Sequence, residues 1–119
     1  MPVIKIWCLP QMEEVKLNEL HQAIVSAICA IKELGLKDQN DMTMLFPSDL
    51  MKYGLGTDII LEITGLDDKP ERTHDILKRL AKNTGEAVSI FFPEAKIECF
   101  VHPFNHCQKG FWTTHKGGT

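Results

Sequence analysis

The chain has 119 residues, 44% of them hydrophobic and 24% charged, and a formal net charge of −3. That is the size of one domain, with a real core and little surplus. No basic stripe points to a nucleic-acid partner, and the apolar stretches are too short and interrupted for a membrane span.

The first ten residues carry one lysine and two prolines, unlike a signal peptide. Four cysteines, Cys8, Cys29, Cys99 and Cys107, are spread along the chain. Cys8 and Cys99 fall in strand-like segments and Cys29 on an apolar helical face, as reduced core cysteines do. A reducing cytoplasm is the expected setting.

In chain order, residues 3–9 (VIKIWCL) read as an apolar strand with one lysine, and Pro2 opens it. If Met1 is removed, Pro2 becomes a secondary amine at the terminus. A terminal amine has an ordinary pKa of about 7.7–8.0. Burial or a nearby cation lowers it, leaving a neutral general base near pH 7. It is equally a nucleophile toward a carbonyl. The plainer reading of Pro2 is a harmless opening to an edge strand.

From Val15 to Leu34 the apolar residues recur at helical spacing, and Gly35 is expected to stop that helix. A polar turn leads to a second strand near 42–46, closed by Pro47. Residues 48–57 link the halves. A third strand is expected over 58–64, ending at Gly65. Asp68, Pro70 and Glu71 look like a helix start, with Asp68 as the cap. The second helix runs through Gly85 to Phe91, since one glycine costs only about 1 kcal/mol. A fourth strand is expected over 96–101.

Ile4 and Met44 are 40 residues apart, and Ile60 and Glu98 are 38 apart. The sequence therefore reads as a duplicated β-α-β module. The expected fold is α+β: two β-α-β units in pseudo-twofold repeat, forming a four-stranded mixed sheet with both helices on one face. One domain spans 1–119, with units 1–47 and 57–103 and a tail 104–119. Strands that read apolar on both sides would leave the other sheet face apolar and uncovered, which implies oligomerisation.

At this point the chain resembles the tautomerase superfamily, in the long branch that includes macrophage migration inhibitory factor. The resemblance rests on Met1-Pro2 opening the first strand and on the duplicated unit. It rests also on Pro47-Ser-Asp-Leu50-Met51-Lys-Tyr53-Gly54 in the linker and Gly110-Phe111-Trp112 in the tail.

It implies a homotrimer with three sheets around a central channel, and keto–enol tautomerisation of a small carboxylate-bearing substrate. Pro2 would be the base, in a pocket between subunits, with neither cofactor nor metal. By position, Lys37 would bind the substrate carboxylate, Thr64 and Gly65 would line the pocket, and Phe111 and Trp112 would form an aromatic wall lent by a neighbour. Where the short tautomerases carry arginines, this chain has Gln11-Met12-Glu13 and Met42-Thr43. Its only arginines, Arg72 and Arg79, fall to the second helix.

Other residues keep alternatives open. Lys5 or Lys52 would serve in place of Lys37. Lys5 is otherwise a snorkelling side chain at a sheet edge. Glu62 is either catalytic or a satisfied structural carboxylate. His21 and His74 read as helix-surface residues. His102, His106, Cys107 and His115 are metal-ligand types at close spacing, but in no usual zinc pattern. A catalytically silent trimer that binds a small ligand or a protein is the rival to the enzyme.

Overall fold

The computed structural model describes residues 1–105 and 107–114. Strand β1 is Val3–Trp7, followed by helix α1, Glu14–Cys29. A 3-10 turn at Lys32–Leu34 and another at Gln39–Asp41 lead to strand β2, Thr43–Leu45. Strand β3 is Asp58–Asp67, helix α2 is His74–Phe91 and strand β4 is Lys96–Phe104.

The sheet order is β2-β1-β3-β4. β1 runs parallel to β2, and β3 parallel to β4, while β1 and β3 pair antiparallel. Each β-α-β unit thus contributes a parallel pair, and the two units meet at the central antiparallel ladder.

The core lies on one side of the sheet. Ile4, Ile6, Ile59, Leu61 and Ile63 pack in one cluster with Leu20, Ile24 and Ile28 of α1 and Ile76, Leu80 and Val88 of α2. Helical spacing on α1 and α2 and the two-residue period of the strands converge on that layer. Ile24 is fully buried, so Ile24→Val should cost about 0.5–1.5 kcal/mol. The check is a lower denaturant midpoint with an unchanged slope.

Several boundaries differ from the sequence reading. The first helix stops at Cys29, not at Leu34. Ile31 turns extended (φ −88, ψ 96), and a separate 3-10 turn carries Leu34 into the core. Gly35 is left-handed (φ 69), as expected of a stop, but it closes that turn. The third strand does not end at Gly65. Gly65 (φ 73) forms a bulge between Thr64 and Leu66, and the ladder resumes to Asp67. The fourth strand likewise continues past 101 to Phe104.

The start of α2 is later than Asp68. Asp68 extends the ladder, its N–H donating to the Phe104 carbonyl. Lys69 to Arg72 form a turn closed by the Arg72 N–H to the Lys69 carbonyl, with Pro70 at its second position. Thr73 is the cap, its hydroxyl accepting from the Ile76 N–H. Arg72 therefore precedes the helix. Gly85 does sit within α2, as the continuous face required.

The second face of the sheet is not apolar. The strands alternate, and this face mixes polar and apolar side chains: Lys5 stands opposite Glu62, and Thr64 beside His102, among Val3, Ile60 and Phe100. Trp7 Nε1 donates to Glu62 Oε1 on the same face. Lys5 belongs to a central strand, not to an edge, and Pro2 likewise precedes an inner strand. Phe100 and Leu45 are exposed large apolar side chains of this face, and others lie in the linker (Leu50, Met51, Tyr53 and Leu55) and the tail (Phe111 and Trp112).

Candidate functional site at the N-terminal proline

Pro2 is buried at the entrance to β1. Its carbonyl accepts from the Thr43 N–H at 2.9 Å, which ties it to β2. On its other side, Val3 pairs with Thr64, the last register pair before the bulge. The Gly65 backbone then turns in against the terminus. A Cβ there would lie 3.1 Å from the Met1 carbonyl oxygen and 3.9 Å from Pro2 Cα. Glycine is required twice over, by the positive φ and by this approach.

The terminal amine, carried here by Met1, titrates below its ordinary value of 8.0. Partial burial is the main cause. The Asp67 carboxylate opposes the shift, and the Arg72 and Lys69 charges add to it. These three groups come from the end of β3 and from the turn before α2. Sequence reasoning missed them as neighbours of the terminus, because it placed Arg72 within the helix.

Arg72 is only 8% exposed. Its Nη1 donates to the Asp67 carbonyl at 2.7 Å and its Nη2 to the Leu34 carbonyl at 2.9 Å. A buried guanidinium is costly unless its donors are met, and these two bonds account for its position. Its Nε is buried with no partner among the described residues.

Of the residues named from the sequence, Pro2 and Gly65 come together. Thr64 is adjacent in the chain, but strand alternation puts it on the open face with Lys5 and Glu62. Pro2 shares the parity of Ile4 and Ile6, which face the helices. Lys37 is exposed in the loop leaving Leu34 and Gly35, with its backbone N–H donating to Asp41 Oδ2 at 2.8 Å. Phe111 makes a tilted ring contact with Phe104, and Trp112 is 80% exposed.

His102 stacks on Phe100, while His106 and His115 lie outside the described residues. Among the described residues no group of three His, Cys, Asp or Glu side chains is spaced to hold a metal. All four cysteines are free thiols. Among the described residues no helix is long and apolar enough to cross a membrane.

Two grooves lie apart from Pro2. One, of about 500 Å³, runs between α2 and β4 and includes Gly85, Ala95 and Cys99. The other, of about 300 Å³, lies at the far end of β1 against Leu9, Met12 and Phe46.

No family model and no curated protein matches the sequence. Solved structures do match. A fused 4-OT asymmetric trimer aligns with a TM-score of 0.69 at 16% identity, over 92% of this chain and 91% of that one. Malonate semialdehyde decarboxylase aligns with 0.62 at 13%, over 98% and 92%. Macrophage migration inhibitory factor of Toxoplasma gondii aligns with 0.63 at 12%, over 92% and 95%. The fold is therefore that of the tautomerase superfamily, and the resemblance read from the sequence holds at the level of the fold.

Proposed function

We propose that this chain, once Met1 is removed, catalyses keto–enol tautomerisation of a small carboxylate-bearing acid, with Pro2 as the general base. The observation that carries this reading is the buried proline beside the Gly65 bulge, at a terminus whose amine feels the Arg72 and Lys69 charges. Removing Met1 would open the volume its carbonyl now fills next to Gly65, adjacent to the freed nitrogen. In ketonisation the neutral amine takes the enol hydroxyl proton. The resulting ammonium returns a proton to carbon, so the enzyme ends unchanged.

A cation near the developing enolate stabilises it. Lys69, whose charge acts on the terminal amine, is one candidate to hold the substrate carboxylate, and Lys37, on the loop leaving Leu34, is the second. Isomerase and decarboxylase chemistry among the fold's neighbours supports this class. Ketonisation of the enol of phenylpyruvate by processed protein is the direct test. A rate no faster than solvent would sink the proposal.

The assembly proposed is a homotrimer. Two neighbours are described as trimers, and the linker and tail present Leu50, Met51, Tyr53 and Trp112 to solvent. Phe111 and Trp112 would then wall a neighbour's Pro2 pocket. Sedimentation equilibrium should return three times the chain mass, and a monomer at micromolar concentration would remove the shared pocket.

The second reading is the silent binding trimer. An acylated Pro2, as it is with Met1 in place, has no basic lone pair. Intact-mass measurement of native protein separates the two readings, because a retained methionine leaves only the second.

A further inference from the structure

Among the described residues only two polar or charged side chains are buried, Thr84 and Arg72. Thr84 returns its hydroxyl to the Leu80 carbonyl of its own helix, at 2.8 Å. Arg72 instead joins elements that are distant in sequence. Asp67 is the last residue of β3, and Leu34 is the last of the 3-10 turn after α1. Both carbonyls stand where regular structure stops. The Gly35 N–H has gone to Lys32, and Leu34 has no following turn to feed. A split guanidinium fork meets both, which one lysine ammonium of different reach cannot reproduce.

These two elements flank the N-terminus. The Gly65 bulge lies two residues before Asp67 and fixes where Pro2 enters the sheet. The loop after Leu34 leads through Lys37 to Thr43, whose N–H holds the Pro2 carbonyl. Arg72 thus clamps both chain segments that set the place of Pro2.

We propose that Arg72 is a positioning residue for Pro2: it fixes the end of β3 and the loop leaving α1 around the N-terminal nitrogen, and acts on the reaction through that nitrogen. The inference rests on Pro2 being the base. Arg72, Lys69 and Asp67 are the charged groups acting on the amine. Removing the first alone takes away one cation and leaves the carboxylate that opposes it.

The experiment compares processed wild type with Arg72→Lys and Arg72→Met in the ketonisation assay across pH. Arg72→Lys keeps the charge and loses the fork. It should lose at least about 10-fold in kcat with KM within about 3-fold, since small misplacements of reacting groups are costly. Arg72→Met should lose as much and also move the rising limb of the pH profile upward, while Arg72→Lys leaves that limb in place. A variant pair that raises KM and preserves kcat would make Arg72 a substrate anchor and overturn the proposal.

Should both variants unfold, the wild-type protein decides by nitrogen NMR of the arginine side chain. The Arg72 Nη signals should show restricted rotation and stay unmoved by saturating pyruvate. Freely rotating Nη groups, or signals displaced by pyruvate, would overturn it. Failure of the underlying reading looks different: a Pro2→Ala protein with the full wild-type rate removes the base itself. If Pro2 dependence holds and Arg72→Lys keeps its kcat, the Arg72 proposal alone fails.

Discussion

Processed Pro2→Ala protein is expected to ketonise an enol acid at least about 100-fold more slowly than wild type, the lower end of what a positioned base contributes. Alanine still offers an amine, but a primary one free to rotate, whereas the proline ring fixes the direction of its lone pair. Protein extended at the N-terminus should be inactive, because an amide nitrogen is not a base. Equal rates for the processed and extended forms would exclude Pro2.

Burial and neighbouring cations lower the pKa of the Met1 amine, and if the freed Pro2 nitrogen inherits that setting, the wild-type rate should rise with pH through a pKa depressed in the same direction. The same depression links folding to pH. The unfolded chain holds this proton more tightly, so the fold gains stability as pH rises toward 8.0. Bromopyruvate should label Pro2 at a rate following the same limb. Competition from thiols is limited. Burial pushes the Cys99 thiol up to about 12, and Cys8 and Cys29 are raised too, Cys8 also by the Asp49 carboxylate. Cys107 is exposed, so Cys107→Ser protein gives the clean map.

The second large effect is expected at Gly65. Valine at φ 73 is a β-branched residue in the left-handed region, a cost of up to about 3 kcal/mol. With Met1 present, its Cβ would also press on the Met1 carbonyl oxygen at 3.1 Å. In processed protein that oxygen is gone, and the new side chain would fill the space proposed for substrate. Gly65→Val should therefore melt well below wild type and lose at least about 10-fold in kcat/KM, mostly through KM. Calorimetry and steady-state kinetics on the same sample check both. Unchanged melting with unchanged KM would mean that the bulge has neither a conformational nor a pocket role.

The general plan was legible because it rests on long periodic segments. The apolar positions of α2 ran unbroken across Gly85, and the repeat spacing announced two similar units. Failures came where one local signal competed with another. Gly35 is a stop, as its sequence position implies, but Leu34 has already left the α-helix, since a 3-10 turn buries the same apolar residues. Gly65 was read as a stop, whereas a left-handed residue inside a ladder makes a bulge. That shifted the start of α2 onto Asp68 and Pro70, which belong to a turn. Thr73, three residues before Ile76, was the available signal for the true cap.

The same displacement hid Arg72. Once Lys69-Pro70-Glu71-Arg72 is seen as a turn, its last residue points back toward the strand it follows. The open face was misread for a different reason. VIKIW looks continuous, yet its lysine and the Glu62 opposite have the same parity, and that period was in the sequence. No pattern in one chain indicates that a Leu34 carbonyl needs a donor from residue 72.

The two rims of the sheet differ in what they offer to another strand. β2 is three residues long, too short to template a foreign strand, but β4 offers nine along an open rim. Lys96 and Glu98, paired at 3.7 Å, charge its beginning, and Pro103 withholds a donor near its end. Such features discourage edge-to-edge addition. Between them only Cys99 to His102 remain unguarded. Any strand added to this rim, whether by aggregation or by an engineered fusion, is therefore confined to that four-residue window.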